Sequence, residues 1–170
     1  MNINIDDDYL AEDYFNNLVE EFSVNTTPYY ICDGISHKKD GHLQFTHIIY
    51  CEGKIASPEY FDTLKLYFNK LEVDKLIFCK VNLIPKTETL IEHEWHIDIN
   101  EITEEQKKYA KTSVFYLNST NGYTIFKDGI KVPSKANRHV MFPNHYEHAS
   151  TTNTCSALYR LTLVTNYLCK

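Results

Sequence analysis

Arg160-Leu161-Thr162-Leu163-Val164-Thr165-Asn166-Tyr167 decides how the rest of the chain is read. Apolar and β-branched residues crowd it, and on a strand its side chains point alternately to opposite faces, so that Arg160 and Thr162 share one. The run predicts a strand over Leu158–Tyr167. The same texture recurs between turn residues at Pro28–Cys32, Leu43–Tyr50, Lys75–Leu83, Thr89–Ile99, Thr112–Leu117, Tyr123–Phe126 and Arg138–Phe142. A helix is expected over Asp8–Phe22, where Leu10, Tyr14, Leu18 and Phe22 recur every fourth residue beside Phe15 and Val19. A second should follow Ser57-Pro58-Glu59 and bury Phe61, Leu64, Phe68 and Leu71. Glu101–Lys108 is charged enough to be a solvated loop or short helix. Many strands after a helical start predict a mainly β (α+β) fold, an antiparallel jelly-roll or sandwich with helices packed on one sheet.

The 170 residues fit one domain over 1–170, and no linker or repeat divides them. With 43% apolar and 14% aromatic residues the chain can bury a core. Lys and Arg total 17 against 23 Asp and Glu, and the net −6 repels phosphate backbones and anionic membranes, which disfavours nucleic acid as a partner. Five cysteines without a CxxC pair suit neither a disulfide framework nor a zinc–thiolate site. The acidic start MNINIDDDYL does not resemble a secretory signal, and no apolar run approaches the roughly 20 residues of a membrane span. A cytoplasmic protein is the expectation. The five glycines form none of GxGxxG, GxxxxGK[ST] or GxSxG.

Glu92-His93-Glu94-Trp95-His96-Ile97-Asp98 is the densest set of metal-ligating side chains. On a strand His96 and Asp98 share a face, and an imidazole with a carboxylate can fill two adjacent positions around one ion. A third ligand must come from Asn144-His145-Tyr146-Glu147-His148, where opposite parity lets only one of His145 and His148 face inward. Two histidines and one carboxylate with open positions suit non-haem Fe(II) oxygen chemistry. Arg160 sits inside an otherwise core-like strand and needs an anion, either a structural acid or a ligand's carboxylate gripped through two parallel hydrogen bonds. Thr162 on the same face could add another.

Together His96-Ile97-Asp98, the distal histidine of Phe142–His148 and Arg160-Leu161-Thr162 resemble the Fe(II)/2-oxoglutarate-dependent dioxygenases, especially small members from phage and microbial genomes. Asn121-Gly122-Tyr123-Thr124-Ile125-Phe126 is similar to their central G-x-T-x-F strand, and Val81-Asn82-Leu83 and Phe45-Thr46-His47 also fit. The likeness covers about Pro28 to Tyr167. It implies a double-stranded β-helix in which His96, Asp98 and His148 are the catalytic metal ligands for Fe(II). Arg160, Thr162 and Asn82 would contact 2-oxoglutarate, and Tyr116 and Tyr123 could line the pocket. Ile84 stands where relatives carry a tyrosine two residues after the Asn82 equivalent, so Asn82 retains a purely structural reading. The implied reaction uses O2, decarboxylates 2-oxoglutarate to succinate and CO2, and hydroxylates a small-molecule or peptidyl substrate. The substrate would be shaped by loops 33–57, 84–92 and 100–111. A non-catalytic cupin-like module and an oxidative nucleic-acid demethylase are the alternatives.

Overall fold

Strand Tyr159–Cys169 is buried on both faces, and those two faces organise the molecule. The computed structural model describes residues 3–99 and 102–169. In chain order the elements are β1 (Asn4–Asp6), α1 (Glu12–Glu21), β2 (Tyr30–Asp33), β3 (Leu43–Cys51), β4 (Lys54–Ile55), α2 (Pro58–Thr63), α3 (Lys65–Lys70) and β5 (Val73–Pro85). They continue with α4 (Glu104–Lys107), β6 (Ala110–Tyr116), β7 (Tyr123–Phe126), β8 (Lys131–Pro133), β9 (Arg138–Pro143), β10 (His148–Ser150) and β11 (Tyr159–Cys169). The larger sheet runs β1-β9-β6-β11-β5-β3-β2 with β4 on β3, and β10-β7-β8 form a second sheet. Every strand pairing is antiparallel. This is the double-stranded β-helix architecture with helices on one sheet.

Leu161, Leu163 and Tyr167 of β11 face the helices, where Phe15, Leu18 and Phe22 meet Leu64, Tyr67 and Phe68. Each such side chain contributes about 1.5–3 kcal/mol by leaving water. The opposite face of the larger sheet meets the second sheet through Val114, Tyr116, Val140 and Phe142 against Phe126 and Val132. Between these apolar layers β11 carries Arg160, Thr162 and Asn166 inward. No helix is long and apolar enough to cross a membrane among the described residues.

Three expectations need correction. Helix α1 starts at Glu12 rather than Asp8, because the preceding segment is tied down on Asn137: Tyr9 N donates to its backbone carbonyl, Leu10 N to its side-chain oxygen, and its amide donates back to Leu10 O. The second helix is two short ones, and Leu64 N at the junction is shared between Tyr60 O and Phe61 O. The expected strand Thr89–Ile99 does not form; only isolated bridges at Glu92↔Thr151 and His96↔His148 join it to its neighbour. Glu92, Glu94, His96 and Asp98 would have made one wholly polar strand face, and Ile91 N instead reaches the Thr152 hydroxyl. Strands β1, β4, β8 and β10 are only two or three residues long, too short to show a period in sequence. Of Glu101–Lys108, the part from Thr103 makes a capped turn of helix, with Gln106 completing the capping box; Glu101 lies outside the described residues.

His139 gives the fold a pH dependence. It is 2% exposed, stacks on Tyr9 at 4.1 Å and shares a 2.8 Å hydrogen bond through Nε2 with Ser113 Oγ. Burial pushes its pKa down to about 4. The unfolded chain then takes up a proton that the folded one refuses, so stability is full above about pH 6.5 and is lost as pH falls toward 4, at about 1.4 kcal/mol per pH unit. Denaturant midpoints measured from pH 7 to pH 5 should fall, and His139→Phe should flatten that slope; an unchanged slope would show that this histidine is not the group being titrated.

Candidate metal centre

His96 and His148 are held together by their own backbones: each N–H donates to the other's carbonyl at 3.0 Å. That bridge brings residues 52 apart in the sequence into register and sets their rings 4.6 Å apart. Asp98 follows two residues after His96. Its Oδ1 lies 3.7 Å from His96 Nε2 and 3.8 Å from His148 Nε2. One ligand atom from each residue lies within 4.8 Å of the others.

The proton positions suit a cation. His96 Nδ1 lies 3.2 Å from Glu94 O and His148 Nδ1 3.2 Å from Tyr146 O. A carbonyl can only accept, so each Nδ1 carries the hydrogen and each Nε2 keeps a lone pair aimed at Asp98. Burial, reinforced by the neighbouring His148, lowers the pKa of His96 and so favours the neutral ring. Asp98 Oδ2 is buried without a hydrogen-bond partner. Two free lone pairs around an unsatisfied carboxylate fit a divalent metal ion, which would supply the charge that this cluster lacks. Phe142 packs edge-on against His148 at 4.9 Å and limits its movement.

Arg160 enters the same cavity from β11. It is 2% exposed; its Nη2 donates to Thr124 Oγ1 at 3.1 Å, its guanidinium carbon lies 5.4 Å from the centre of the Tyr116 ring, and its Nε has no partner. None of the ion pairs among the described residues includes it. The structural-acid explanation of Arg160 therefore finds no support. Gly122 makes room for its stem: a Cβ there would meet Thr152 O at 2.6 Å and Arg160 Cδ at 3.0 Å. Asn82 stands opposite Thr162 across the β5–β11 ladder, and its Oδ1 is also buried and unpartnered.

His96, Asp98, His148, Arg160, Thr162 and Asn82 all line one cavity of about 190 Å³. Of the segments expected to shape its mouth as loops, 33–57 is largely strand, since β3 and β4 lie within it: its 34–42 connection contributes Ile35 and Ser36, β3 contributes Gln44, Ile84 comes from the start of 84–92, and residues 100 and 101 lie outside the described part. His145 is exposed and turned toward Tyr146, which excludes it from the cluster. Tyr116 supports Arg160 from beneath, and Tyr123 does not line the cavity, its hydroxyl bonding Glu92 and Lys131 instead. Sequence reasoning missed Lys80, which also lines the cavity. Its signal was of the same kind as that of Arg160: a cation at inward parity with Asn82 inside an apolar strand.

No sequence-family model matches the chain, and no curated relative is similar to it in sequence. Solved structures are similar to it in fold. A Pseudomonas putida prolyl-4-hydroxylase superposes with a TM-score of 0.60 at 16% identity, over 99% of this chain and 92% of that one. A Burkholderia pseudomallei oxidoreductase of the 2OG-Fe(II) oxygenase family gives 0.65 at 11% identity, over 98% and 84%. The epimerase SnoN, in complex with Fe3+, alpha ketoglutarate and nogalamycin RO, gives 0.65 at 10% identity, over 98% and 78%. At these identities the likeness shows a shared fold, the one the sequence motifs implied.

Two substitutions test the geometry without any ligand. Arg160→Met should raise the unfolding free energy of the ligand-free protein by about 1–3 kcal/mol in chemical denaturation, because it removes an uncompensated buried charge. Gly122→Ala should instead lower stability, since a backbone carbonyl cannot yield to the new Cβ as a side-chain end would. The reverse order would mean that Arg160 is already neutralised.

Proposed function

We propose that the chain is an Fe(II)- and 2-oxoglutarate-dependent dioxygenase that hydroxylates a small-molecule or peptidyl substrate. The observation that carries this reading is the buried, acid-free guanidinium of Arg160 sharing one cavity with the His96, Asp98 and His148 ligand atoms. The oxygenase fold of the neighbours, one of them holding iron and alpha ketoglutarate, supports it.

His96, Asp98 and His148 would hold the iron, leaving positions free for co-substrate and oxygen. Iron suits this mixed His/Asp set better than zinc, since no thiolate lines the cavity. When bound, the iron supplies the oxidative chemistry that couples decarboxylation of 2-oxoglutarate to insertion of oxygen into a substrate C–H bond. The chain's own residues do the positioning. Arg160 presents a planar fork to the distal carboxylate of 2-oxoglutarate, the Thr162 hydroxyl can donate beside it, and Asn82 lines the same space, where its amide NH2 is the group able to donate to a co-substrate oxygen. Ile84, Val114 and Val164 wall the cavity with apolar surface and keep water from the reacting groups. A cupin-like module with incidental histidines would have no reason to keep an unpaired cation buried beside them.

Anaerobic addition of Fe(II) and 2-oxoglutarate should produce a visible charge-transfer band, absent in His96→Ala. Arg160→Met should weaken 2-oxoglutarate binding about 10- to 100-fold, the worth of hydrogen bonds to a charged group. In air, succinate should be released, with a slow background in the absence of primary substrate. A spectrum indifferent to 2-oxoglutarate, or equal affinity in Arg160→Met, would remove this reading.

A further inference from the structure

The proposed reaction leaves one charged group in the cavity unused. Lys80 lies on β5 two residues before Asn82, at the same inward parity. The ladder with β11 places Ile84 opposite Arg160, Asn82 opposite Thr162 and Lys80 opposite Val164. The levels of Arg160 and Lys80 along the strands are thus four residues apart, roughly 13 Å at 3.3 Å per residue. Arg160 sits at one end of the cavity, and Lys80 stands beyond Asn82 with Ile35 and Ser36 of the 34–42 connection among the cavity's other lining residues.

Among the described residues the Lys80 ammonium has neither an ion-pair nor a hydrogen-bond partner; its recorded neighbour is the Phe78 ring, 5.7 Å away. It does not reach Asp98 within ion-pair distance, so neutralising that ligand carboxylate is not its observed role. Burial pushes its pKa below the usual lysine value, and the charge of Asp98 pulls it back up. The charged residues lining the cavity are Lys80, Asp98 and Arg160, two cations against one anion. A divalent ion and a dianionic co-substrate would cancel each other and leave that single positive charge standing. Lys80 is only half-buried and its ammonium is not sealed from water as Arg160 is, so what an entering anion offers it is a charge-assisted contact in a confined, partly apolar cavity.

We propose that Lys80 is a specificity-determining residue that binds a carboxylate of the primary substrate, so that the substrate is an organic acid rather than a neutral or cationic molecule. This rests on the dioxygenase reading above. In that arrangement Arg160 takes the far carboxylate of 2-oxoglutarate at one level, and Lys80 holds the substrate's acid group at another, with the metal ligands lining the same space.

Binding, not turnover, tests it. Acetate, lactate, N-acetylglycine and N-acetylalanine would each be compared with the corresponding primary amide by calorimetry and thermal shift. The protein would be loaded with Zn(II) as a redox-inert ion, both with and without saturating 2-oxoglutarate. Wild type should prefer at least one acid over its amide by about tenfold or more, as a charge-assisted contact implies. Lys80→Gln should lose the preference, Lys80→Arg should keep it, and both should bind 2-oxoglutarate within about threefold of wild type. No acid preference in wild type, or one that persists in Lys80→Gln, overturns the proposal. So does a loss of 2-oxoglutarate affinity in Lys80→Gln as large as in Arg160→Met, which would assign Lys80 to the co-substrate. Failure of wild type to bind 2-oxoglutarate would instead strike the dioxygenase reading, and the acid–amide comparison made without it would still judge Lys80.

Discussion

Arg160 is 2% exposed with an unpartnered Nε, and taking such a charge out of water costs several kcal/mol unless an anion meets it. The fold meets this cost only in part, through Thr124 Oγ1 and the face of Tyr116. Its stem passes close to Gly122, where even one added methyl group would crowd it. What remains is a cationic cavity wall that gains most from a carboxylate ligand. Stability given up by the empty protein is available as binding energy for an anion that enters the cavity.

The cluster of His96, Asp98 and His148 depends on a different device. Neither histidine belongs to a long strand pair; a two-way backbone bridge holds His96 to His148, and the carbonyls of Glu94 and Tyr146 orient the two rings. Short irregular backbone serves here because the segment from Ile91 to Asp98 carries too many polar side chains to be buried as a regular strand. Its bridges to β10 let it stand where another strand of the smaller sheet would run. The larger sheet supplies the rigidity, since β11, β5 and β6 hold Arg160, Thr162, Asn82 and Lys80 on continuous ladders. A continuous ladder thus faces an irregular segment, and Ile35 and Ser36 of the connection between β2 and β3 join them in lining the cavity.

Much was legible in the residues alone, for reasons of periodicity and charge. The runs that became β3, β5, β6, β7, β9 and β11 carried enough apolar and β-branched residues to reveal strands, and Arg160 stood out because a cation in such a run demands an anion. Asp8–Phe22 misjudged only its start, since no local signal shows that Asn137 captures the backbone of Tyr9 and Leu10. Thr89–Ile99 was misread as a strand because spacing alone cannot say whether a polar face will find a sheet to join.

The amino-acid order by itself determined which side chains share a face of each strand, and therefore that Arg160 accompanies Thr162 and Lys80 accompanies Asn82. Strand parity left His145 and His148 both open and the motif resemblance favoured His148; only the tertiary structure set His148 beside His96, left Arg160 without an acid, and brought Lys80 into the cavity that holds Asp98. Those outcomes depend on contacts between residues tens of positions apart, and side-chain alternation, a property of neighbours in the chain, carries no information about them.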